Sequence, residues 1–312
     1  MFNNIYVNGS YAFLNLCASD ILEKKSVIFY MINFASKKHK VSEHEINFIK
    51  ITANFFNHKV IFRTNKNIKI NNDDLISSNL IKYFLPYLSG QNINIFPEGG
   101  SCLNKLFDEP ILTKPYNYFK KIIKRIFVGH YNVKTYFIIP DFEGKVLKFF
   151  KKKDKTIKIL SINSLKQNYV KYSKYFIKMN PELRIKEKQF IFHPFINMLN
   201  KNINWKTYKE WFNKYRDFIG KKLLFVKVHP DKKILFEKKI FSGFKTFFVP
   251  DKFTPVPAEL LLVNKNSFYL GCYSTIIFIY KKKKIKIVDP PQEQLKKIFD
   301  NEYYFIKKIL YN

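Results

Sequence analysis

Glu98 stands in a segment whose composition suits acid–base chemistry. It follows the apolar run Ile93–Phe96 and precedes Gly99 and Gly100. Glycines leave room for the backbone to approach a ligand closely, so the carboxylate could enter a cleft and accept a proton. An exposed acidic turn is the simpler explanation when this segment is taken alone.

A second segment, His229-Pro230, follows the apolar run Leu223–Val226. An imidazole at the end of a strand can hydrogen-bond to a phosphate and deliver a proton or positive charge to it. His193-Pro194 has the same local setting. It lacks the polar segments that follow His229, so we interpret His193 as a structural histidine.

A third region combines Pro257–Leu262 with Tyr269–Thr275. Glu259 is placed in the first turn of a short helix, where a carboxylate is favourable for the helix dipole alone. Ser274 and Thr275 follow an apolar run and could cap a helix. The same hydroxyl and backbone donors at a helix start would also bind a phosphate.

Alternating strands and helices must position these segments. This order predicts an α/β fold with doubly wound parallel sheets, in which ligands bind beyond the carboxyl ends of the strands. Gly9-Ser10 is a turn that opens a helix extending through Ile21, and Ser42–Glu45 reads as a capping box. The predicted strands of the first half are Ile5–Val7, Val27–Ile32, Val60–Phe62 and Ile93–Phe96.

A second α/β unit is predicted after a polar, tyrosine-rich stretch at 161–188, which we interpret as the domain junction. The predicted domains are 1–175 and 176–312. The second unit has strands at 189–192 and 223–226, a helix carrying Trp205 to Tyr215 that stops near Gly220, and a closing helix at 292–310.

Composition excludes several classes of protein. The chain has 312 residues, of which 46% are hydrophobic, so it has enough apolar surface to fold. It contains no apolar run of about 20 residues that would span a bilayer, and its first residues lack a secretory signal pattern. Cys17, Cys102 and Cys272 are sparse and unpaired in spacing, which argues against disulfides or a zinc site and favours a cytoplasmic location.

The net charge of +32 allows two interpretations. Lysine and arginine neutralise phosphates, which suggests nucleic acid. The lysines are spread along the chain, however, and its richness in Lys, Asn, Ile, Phe and Tyr is what A/T-rich codons produce. We therefore expect attraction to an anionic surface and no nucleic-acid partner. The basic amphipathic segment 118–127 is either an interfacial helix on anionic lipid or a helix packed on its own sheet.

The three chemical segments, in this order, resemble the motifs of bacterial sialyltransferases of the two-domain GT-B type. The sequence is most similar to the lipooligosaccharide sialyltransferases (glycosyltransferase family 52), with polysialyltransferases as relatives. That group has an acidic-acidic-Gly motif, a His-Pro motif and a Ser-Ser/Thr motif. They correspond here to Pro97-Glu98-Gly99, His229-Pro230 and Ser274-Thr275. The resemblance implies two Rossmann-like domains facing a central cleft.

The resemblance also implies a role for each residue. Glu98 would be the general base, and His229 would stabilise the leaving CMP phosphate, which Ser274 and Thr275 would hold. Glu259 would bind the ribose hydroxyls. Further implied contacts are Pro230 and Gly271 on the nucleotide side, and Gly9, Ser10 and Gly99 on the acceptor side.

The first acidic position of the family motif is occupied by Pro97, which leaves Glu98 as the single carboxylate. A neighbouring carboxylate would tune the pKa of the base, and that influence is missing here. The segment Asp141-Phe142-Glu143-Gly144 also ends in an acid–glycine pair and provides the alternative base.

The implied function is an inverting, metal-independent transfer of sialic acid, or a related CMP-activated acidic sugar, to a terminal sugar of a surface glycan such as lipooligosaccharide or capsule. The sequence has no Asp-x-Asp pair near a strand end, and no cofactor beyond the CMP-sugar is expected. The implied location is cytoplasmic, with peripheral contact at the inner membrane face left open, as is a homodimer.

Two rival functions remain open at this point. A CDP-glycerol-type polymer transferase also combines His-Pro with a downstream Ser pair, although that family usually has Asp just before the pair, where this chain has Cys272-Tyr273. A basic, non-enzymatic protein that binds nucleic acid or membrane would need neither Glu98 nor His229.

Overall fold

The computed structural model describes residues 2–22, 28–33, 41–64, 68–78, 80–84, 87–97, 132–139, 157–184, 189–193, 205–227, 238–271, 280 and 284–288. Two compact units share the chain. Unit 1 comprises Met1–Pro140 and Gly144–Leu165, and unit 2 comprises Asp141–Glu143 and Lys166–Asn312. The sequence-based boundary at 175/176 falls ten residues later, inside a helix.

The described strands of unit 1 form one seven-stranded sheet in which every pair is parallel. Its spatial order is β3-β2-β1-β4-β5-β6-β7, so the order reverses between β1 and β4. Short apolar runs suit this sheet, because parallel strands are covered on both faces. The strands are β1 (Ile5–Val7), β2 (Ile28–Asn33), β3 (Lys59–Thr64), β4 (Leu75–Ser77), β5 (Asn92–Phe96), β6 (Asn132–Ile138) and β7 (Ile157–Ile159).

Three described helices accompany this sheet: α1 (Ser10–Ala18), α2 (Glu43–Phe55) and α3 (Ile81–Phe84). One of the two hydrogen bonds of the capping box predicted for α2 is confirmed: Ser42 Oγ accepts from Glu45 N at 3.2 Å. Helix α1 begins where predicted but ends at Ala18, short of Ile21.

The described strands of unit 2 form a five-stranded parallel sheet in the order β10-β9-β8-β11-β12, with the reversal between β8 and β11. The predicted α/β class with two doubly wound parallel sheets is therefore confirmed. The strands are β8 (Gln189–His193), β9 (Leu223–Val226), β10 (Thr246–Phe248), β11 (Ser267–Gly271) and β12 (Ile285–Ile287).

One described helix of unit 2 differs from prediction. The helix expected from Trp205 to Tyr215 consists of α5 (Trp205–Asn213) and α6 (Arg216–Ile219), and it stops as predicted at Gly220, whose φ is +56°. Helix α7 (Ala258–Leu262) carries Glu259. The segments predicted as helices at 118–127 and 292–310 lie outside the described residues.

The tyrosine-rich stretch interpreted as a junction contains α4 (Ile162–Met179), which begins in unit 1 and continues into unit 2. Its Leu165, Tyr169, Tyr172 and Phe176 are all buried. Their spacing of four, three and four residues places them on one helical face. Three of the four carry an aromatic ring, and two of these have a polar hydroxyl, so the stretch looked like a polar linker in the sequence.

Asp74 holds the amino ends of β1 and β4 together at the reversal of the first sheet. Its Oδ1 accepts hydrogen bonds from Asn4 N (2.9 Å) and Asn4 Nδ2 (3.0 Å), and its Oδ2 accepts one from Asn71 N (2.8 Å). Burial raises the pKa of the Asp74 carboxyl, and these hydrogen bonds oppose that increase. The carboxylate thus fixes the amino ends of the two strands that flank the reversal of strand order.

His58 is buried in the core of unit 1 between two aromatic rings. The rings of Phe29 and Phe56 lie 5.2 Å and 6.5 Å from the imidazole, measured between centroids. Burial lowers the pKa of His58 from its ordinary value of 6.5, since the apolar surroundings disfavour the charged ring.

Unfolding experiments should detect this lowered pKa. The unfolded chain binds a proton at His58 more readily than the folded one, so the stability that the neutral ring contributes is present above pH 6.5 and is lost as the pH falls below it. We expect His58→Gln to flatten the decline in urea-measured stability between about pH 7 and about pH 5. His44→Gln, on the exposed face of α2, is the control. An unchanged decline in His58→Gln would contradict this account.

Candidate functional site

Strands that precede two of the candidate segments end at the carboxyl edge of the unit 2 sheet. Strands β8 and β11 flank the reversal of strand order, where open parallel sheets bind their ligands. Their register pairs Gly271 with His193, so both strands end side by side, about 4.8 Å apart. Gly271 ends β11 at this edge and His193 ends the neighbouring strand, while the contact of Gly271 with a nucleotide stays a prediction.

Strand β9 leads towards the His-Pro segment on the same edge. It pairs in parallel with β8, with Val226 opposite Phe192. The next residue, Lys227, is only 1% exposed. His229 and Pro230 come two and three residues after Lys227 and lie outside the described residues, as do Ser274 and Thr275 beyond β11.

Glu259 lies in the first turn of α7 and is 4% exposed. Every residue from Phe253 to Leu262 is buried. The helix has only five residues, so few of its backbone carbonyls have partners within the helix. Its position in the fold therefore depends on partners outside it.

Side chains from three other parts of unit 2 bind the carbonyls of α7 and its flanks. Lys227 Nζ donates to Thr254 O at 2.6 Å, and Ser173 Oγ on α4 donates to Leu260 O at 2.7 Å. The Tyr280 hydroxyl donates to the carbonyl of Glu259 itself. Beyond these, Lys284 Nζ donates to Leu262 O and Asn264 O at 3.0 Å and 2.9 Å. We call these donors the carbonyl clasp.

The Tyr280 hydroxyl remains a donor under all ordinary conditions. Burial raises the pKa of its phenol well above 10.0, and the nearby negative charge of Glu259 raises it further. A protonated phenol can donate to a carbonyl, whereas a phenolate cannot. The protonated hydroxyl therefore constrains the backbone of Glu259 through this hydrogen bond.

In unit 1, Gly9 and Ser10 follow β1 at the carboxyl edge and begin α1. Gly9 caps the helix with φ +85° and ψ 144°. A Cβ at this position would have no atom within 4 Å, so the backbone conformation, rather than the space, requires glycine. Ser10 N donates to Glu45 Oε1 at 3.0 Å, which places a carboxylate at the positive end of α1.

The role of Glu45 differs from the one that its capping box suggested. Its backbone N–H bonds to the Ser42 hydroxyl, but its carboxylate reaches across to the start of α1. The structure thereby shows a carboxylate of this chain at the Gly9-Ser10 turn. No local sequence pattern indicates this contact, because the two residues are 35 positions apart.

Both candidate bases follow neighbouring strands of unit 1. Pro97 is buried directly after β5, and Ile139 is buried directly after β6. The two strands pair in parallel, so both segments leave the sheet at the same edge. Glu98 and Gly99 lie outside the described residues, as do Asp141 and Glu143. Strand β5 is two positions from β1, about 10 Å, so Pro97 and the Gly9-Ser10 turn share one edge.

Four residues of the carbonyl clasp were not predicted as part of the site. Lys227 offered a signal, since it interrupts an apolar run that reads Leu-Leu-Phe-Val before it and Val after it. Ser173, Tyr280 and Lys284 offered none, because a side-chain bond to a distant carbonyl leaves no local pattern.

Over the described ranges, no group of three or more His, Cys, Asp or Glu side chains is arranged to hold a metal ion. Nor does any described helix have the length and apolar character to cross a membrane.

Comparison with known proteins shows a similarity in structure but none in sequence. The sequence matches no protein-family model and no curated protein. In structure, the chain is similar to an alpha/beta-galactoside alpha-2,3-sialyltransferase from a luminous marine bacterium, Photobacterium phosphoreum. The TM-score is 0.50 at 12% sequence identity, over 95% of this chain and 94% of that one. The likeness confirms the predicted fold class, two Rossmann-like units of the GT-B type. The central cleft between the units stays a prediction.

The contact between Glu45 and Ser10 makes a measurable prediction. Glu43 and Glu45 both lie in the first turn of α2, where their charges are equally favourable, but only Glu45 also accepts from Ser10 N. We expect Glu45→Ala to lower the free energy of unfolding by about 1 kcal/mol more than Glu43→Ala, the size of a lost helix cap. Urea unfolding of the two variants measures this difference. Equal losses would show that the contact with α1 contributes nothing.

Proposed function

We propose that this chain is an inverting, metal-independent glycosyltransferase that moves sialic acid, or a related CMP-activated acidic sugar, from a CMP donor to a terminal sugar of a surface glycan. The observation that carries the proposal is the carboxyl edge of unit 2. There Gly271 ends a strand beside the reversal, β9 leads to His229, and the buried Glu259 is tied to the end of β9 through Lys227 and Thr254.

The fold supports this assignment further. The solved structure that the chain resembles over 95% of its length is named as a sialyltransferase. We assign nucleotide binding to unit 2, and the base and the acceptor site to unit 1, as the sequence resemblance implies. Fold alone does not determine chemistry, so the assignment depends on the residues at the strand ends.

On this proposal the reaction is a direct displacement. The acceptor hydroxyl oxygen attacks the anomeric carbon, and the bond from that carbon to the phosphate oxygen breaks, with its electron pair leaving on CMP. Glu98 takes the proton of the hydroxyl. His229 donates a hydrogen bond or proton to the departing phosphate, and Ser274 and Thr275 bind the same group.

The donor set assigned to CMP explains why we propose no metal. CMP leaves with a single phosphate, and an imidazole with hydroxyl and backbone donors is sufficient to stabilise that charge. Glu259 would bind the ribose hydroxyls, since a carboxylate accepts hydrogen bonds from both. Pro230 and Gly271 would line the nucleotide, while Gly9, Ser10 and Gly99 would lie on the acceptor side.

The acceptor that we propose is a glycan or glycolipid such as lipooligosaccharide or capsule. A net charge of +32 attracts anionic glycans and lipid surfaces over distances of about a Debye length. This attraction supports a location at the inner face of the membrane, where an anionic acceptor would be concentrated. A homodimer is compatible with the proposal but contributes no residue to it.

A nucleotide panel tests the donor class. We expect CMP and CMP-sialic acid to raise the melting temperature, and CMP-sialic acid to be hydrolysed slowly without an acceptor. UDP-glucose and GDP-mannose serve as controls of other base identity. Stabilisation by CDP-glycerol with none by CMP-sialic acid would support a polymer transferase instead. If salt-sensitive binding of nucleic acid is the sole activity, the hypothesis of a basic, non-enzymatic protein is supported instead.

Substitutions test the assigned roles. We expect Glu98→Gln and His229→Ala each to lower kcat by about 10²–10⁴, the usual contribution of a general acid or base. His193→Ala serves as the comparison, because it ends the strand beside Gly271. If Glu98→Gln has near wild-type rates, Asp141→Asn and Glu143→Gln identify the base. If kcat falls strongly in His193→Ala but not in His229→Ala, the role assigned to His229 belongs to His193.

A further inference from the structure

Helix α7 cannot hold Glu259 in place by itself. It has five residues, and helices this short are unstable in isolation because few of their hydrogen bonds are internal. A carboxylate that binds specific hydroxyl groups must be held within about 0.5 Å of its binding position. The carbonyl clasp supplies this constraint from outside, through donors on α4, after β9 and at 280 and 284.

Lys227 is the member of the clasp whose position is hardest to explain by composition. The chain has 56 lysine and arginine residues, and an exposed lysine needs no special reason. Lys227 is 1% exposed, and burying an ammonium group is costly unless it is hydrogen-bonded. Its Nζ lies 2.6 Å from Thr254 O, five residues before Glu259.

Tyr280 acts on the same helix at a different point. Its hydroxyl donates to the carbonyl of Glu259, so it constrains the backbone from which the carboxylate extends. Replacing tyrosine with phenylalanine would remove this contact and leave the ring in place. This replacement therefore tests the hydrogen bond while changing the packing very little.

We propose that Lys227 and Tyr280 are positioning residues for the nucleotide's ribose, with Lys227 coupling the segment that leads to His229 to the helix that carries Glu259. The inference rests on the proposed function, in which Glu259 binds the ribose hydroxyls. Lys227 stands two residues before His229 and is bound to the turn before Glu259, so one hydrogen bond links the phosphate side and the ribose side of the site.

The test compares two ligands that differ only in the groups that Glu259 would bind. Isothermal titration gives Kd for CMP and for 2′,3′-dideoxy-CMP, and the ratio measures recognition of the ribose hydroxyls. We expect the wild-type protein to prefer CMP and Glu259→Gln to lose most of that preference. Tyr280→Phe and Lys227→Met should each reduce the preference by about three- to tenfold, the effect of one lost hydrogen bond.

Matched controls separate positioning from general stability. Tyr87→Phe removes a hydroxyl from a residue that is 53% exposed in unit 1, and Lys134→Met removes a charge from a residue in an exposed ion pair with Asp73. Both should keep the wild-type preference. If Lys227→Met does not fold, Lys227→Arg keeps the charge and a donor while altering the geometry, and Tyr280→Phe remains an independent test.

Three results would overturn the inference in distinguishable ways. If the wild-type protein does not bind CMP, the proposed function fails and this inference fails with it. If Glu259→Gln keeps the preference for CMP, the assignment of Glu259 to the ribose is wrong. If Glu259→Gln loses the preference while Tyr280→Phe and Lys227→Met weaken both ligands equally, the two residues are merely structural and the proposed function stands.

Discussion

Parallel pairing of the strands is the constraint on which the candidate site depends. In each unit, every described strand runs in the same direction as its neighbours, so all carboxyl ends leave the sheet at one edge. Residues that are far apart in sequence, such as His193 and Gly271, become neighbours through the backbone pairing of their strands. The reversal of strand order then opens a gap at that edge for a ligand.

Buried polar groups determine the geometry of connections that strand pairing alone does not define. Asp74 ties β1 to β4 at the amino edge of unit 1, and Lys227 ties the end of β9 to the turn before α7 at the carboxyl edge of unit 2. A buried charge contributes little net stability, because desolvation offsets the attraction. What it provides is a specific geometry, since the wrong arrangement would leave the charge without partners.

Much of the fold could be predicted from the sequence because short apolar runs bounded by polar turns are local signals. Ile5–Val7 and Leu223–Val226 are observed as predicted. β4 was missed, since Leu75–Ser77 has only two apolar residues and depends on its neighbours for pairing. Likewise, α4 was hidden by its tyrosines. The contacts of Glu45 with Ser10 and of Tyr280 with Glu259 could not be predicted, because such bonds between distant residues follow from the fold.

The chain's composition also determines which residues are informative. The chain has 56 basic residues and a composition of the kind that A/T-rich codons produce, so a lysine at a given position says little about function. A position where the residue is energetically costly says more. Burial of Glu259, which is 4% exposed, and of Lys227, which is 1% exposed, carries such a cost. Lys227 directly follows β9, and its hydrogen bond to Thr254 O links it to the segment before Glu259. These costly positions therefore point to the carboxyl edge of unit 2, where open parallel sheets bind their ligands.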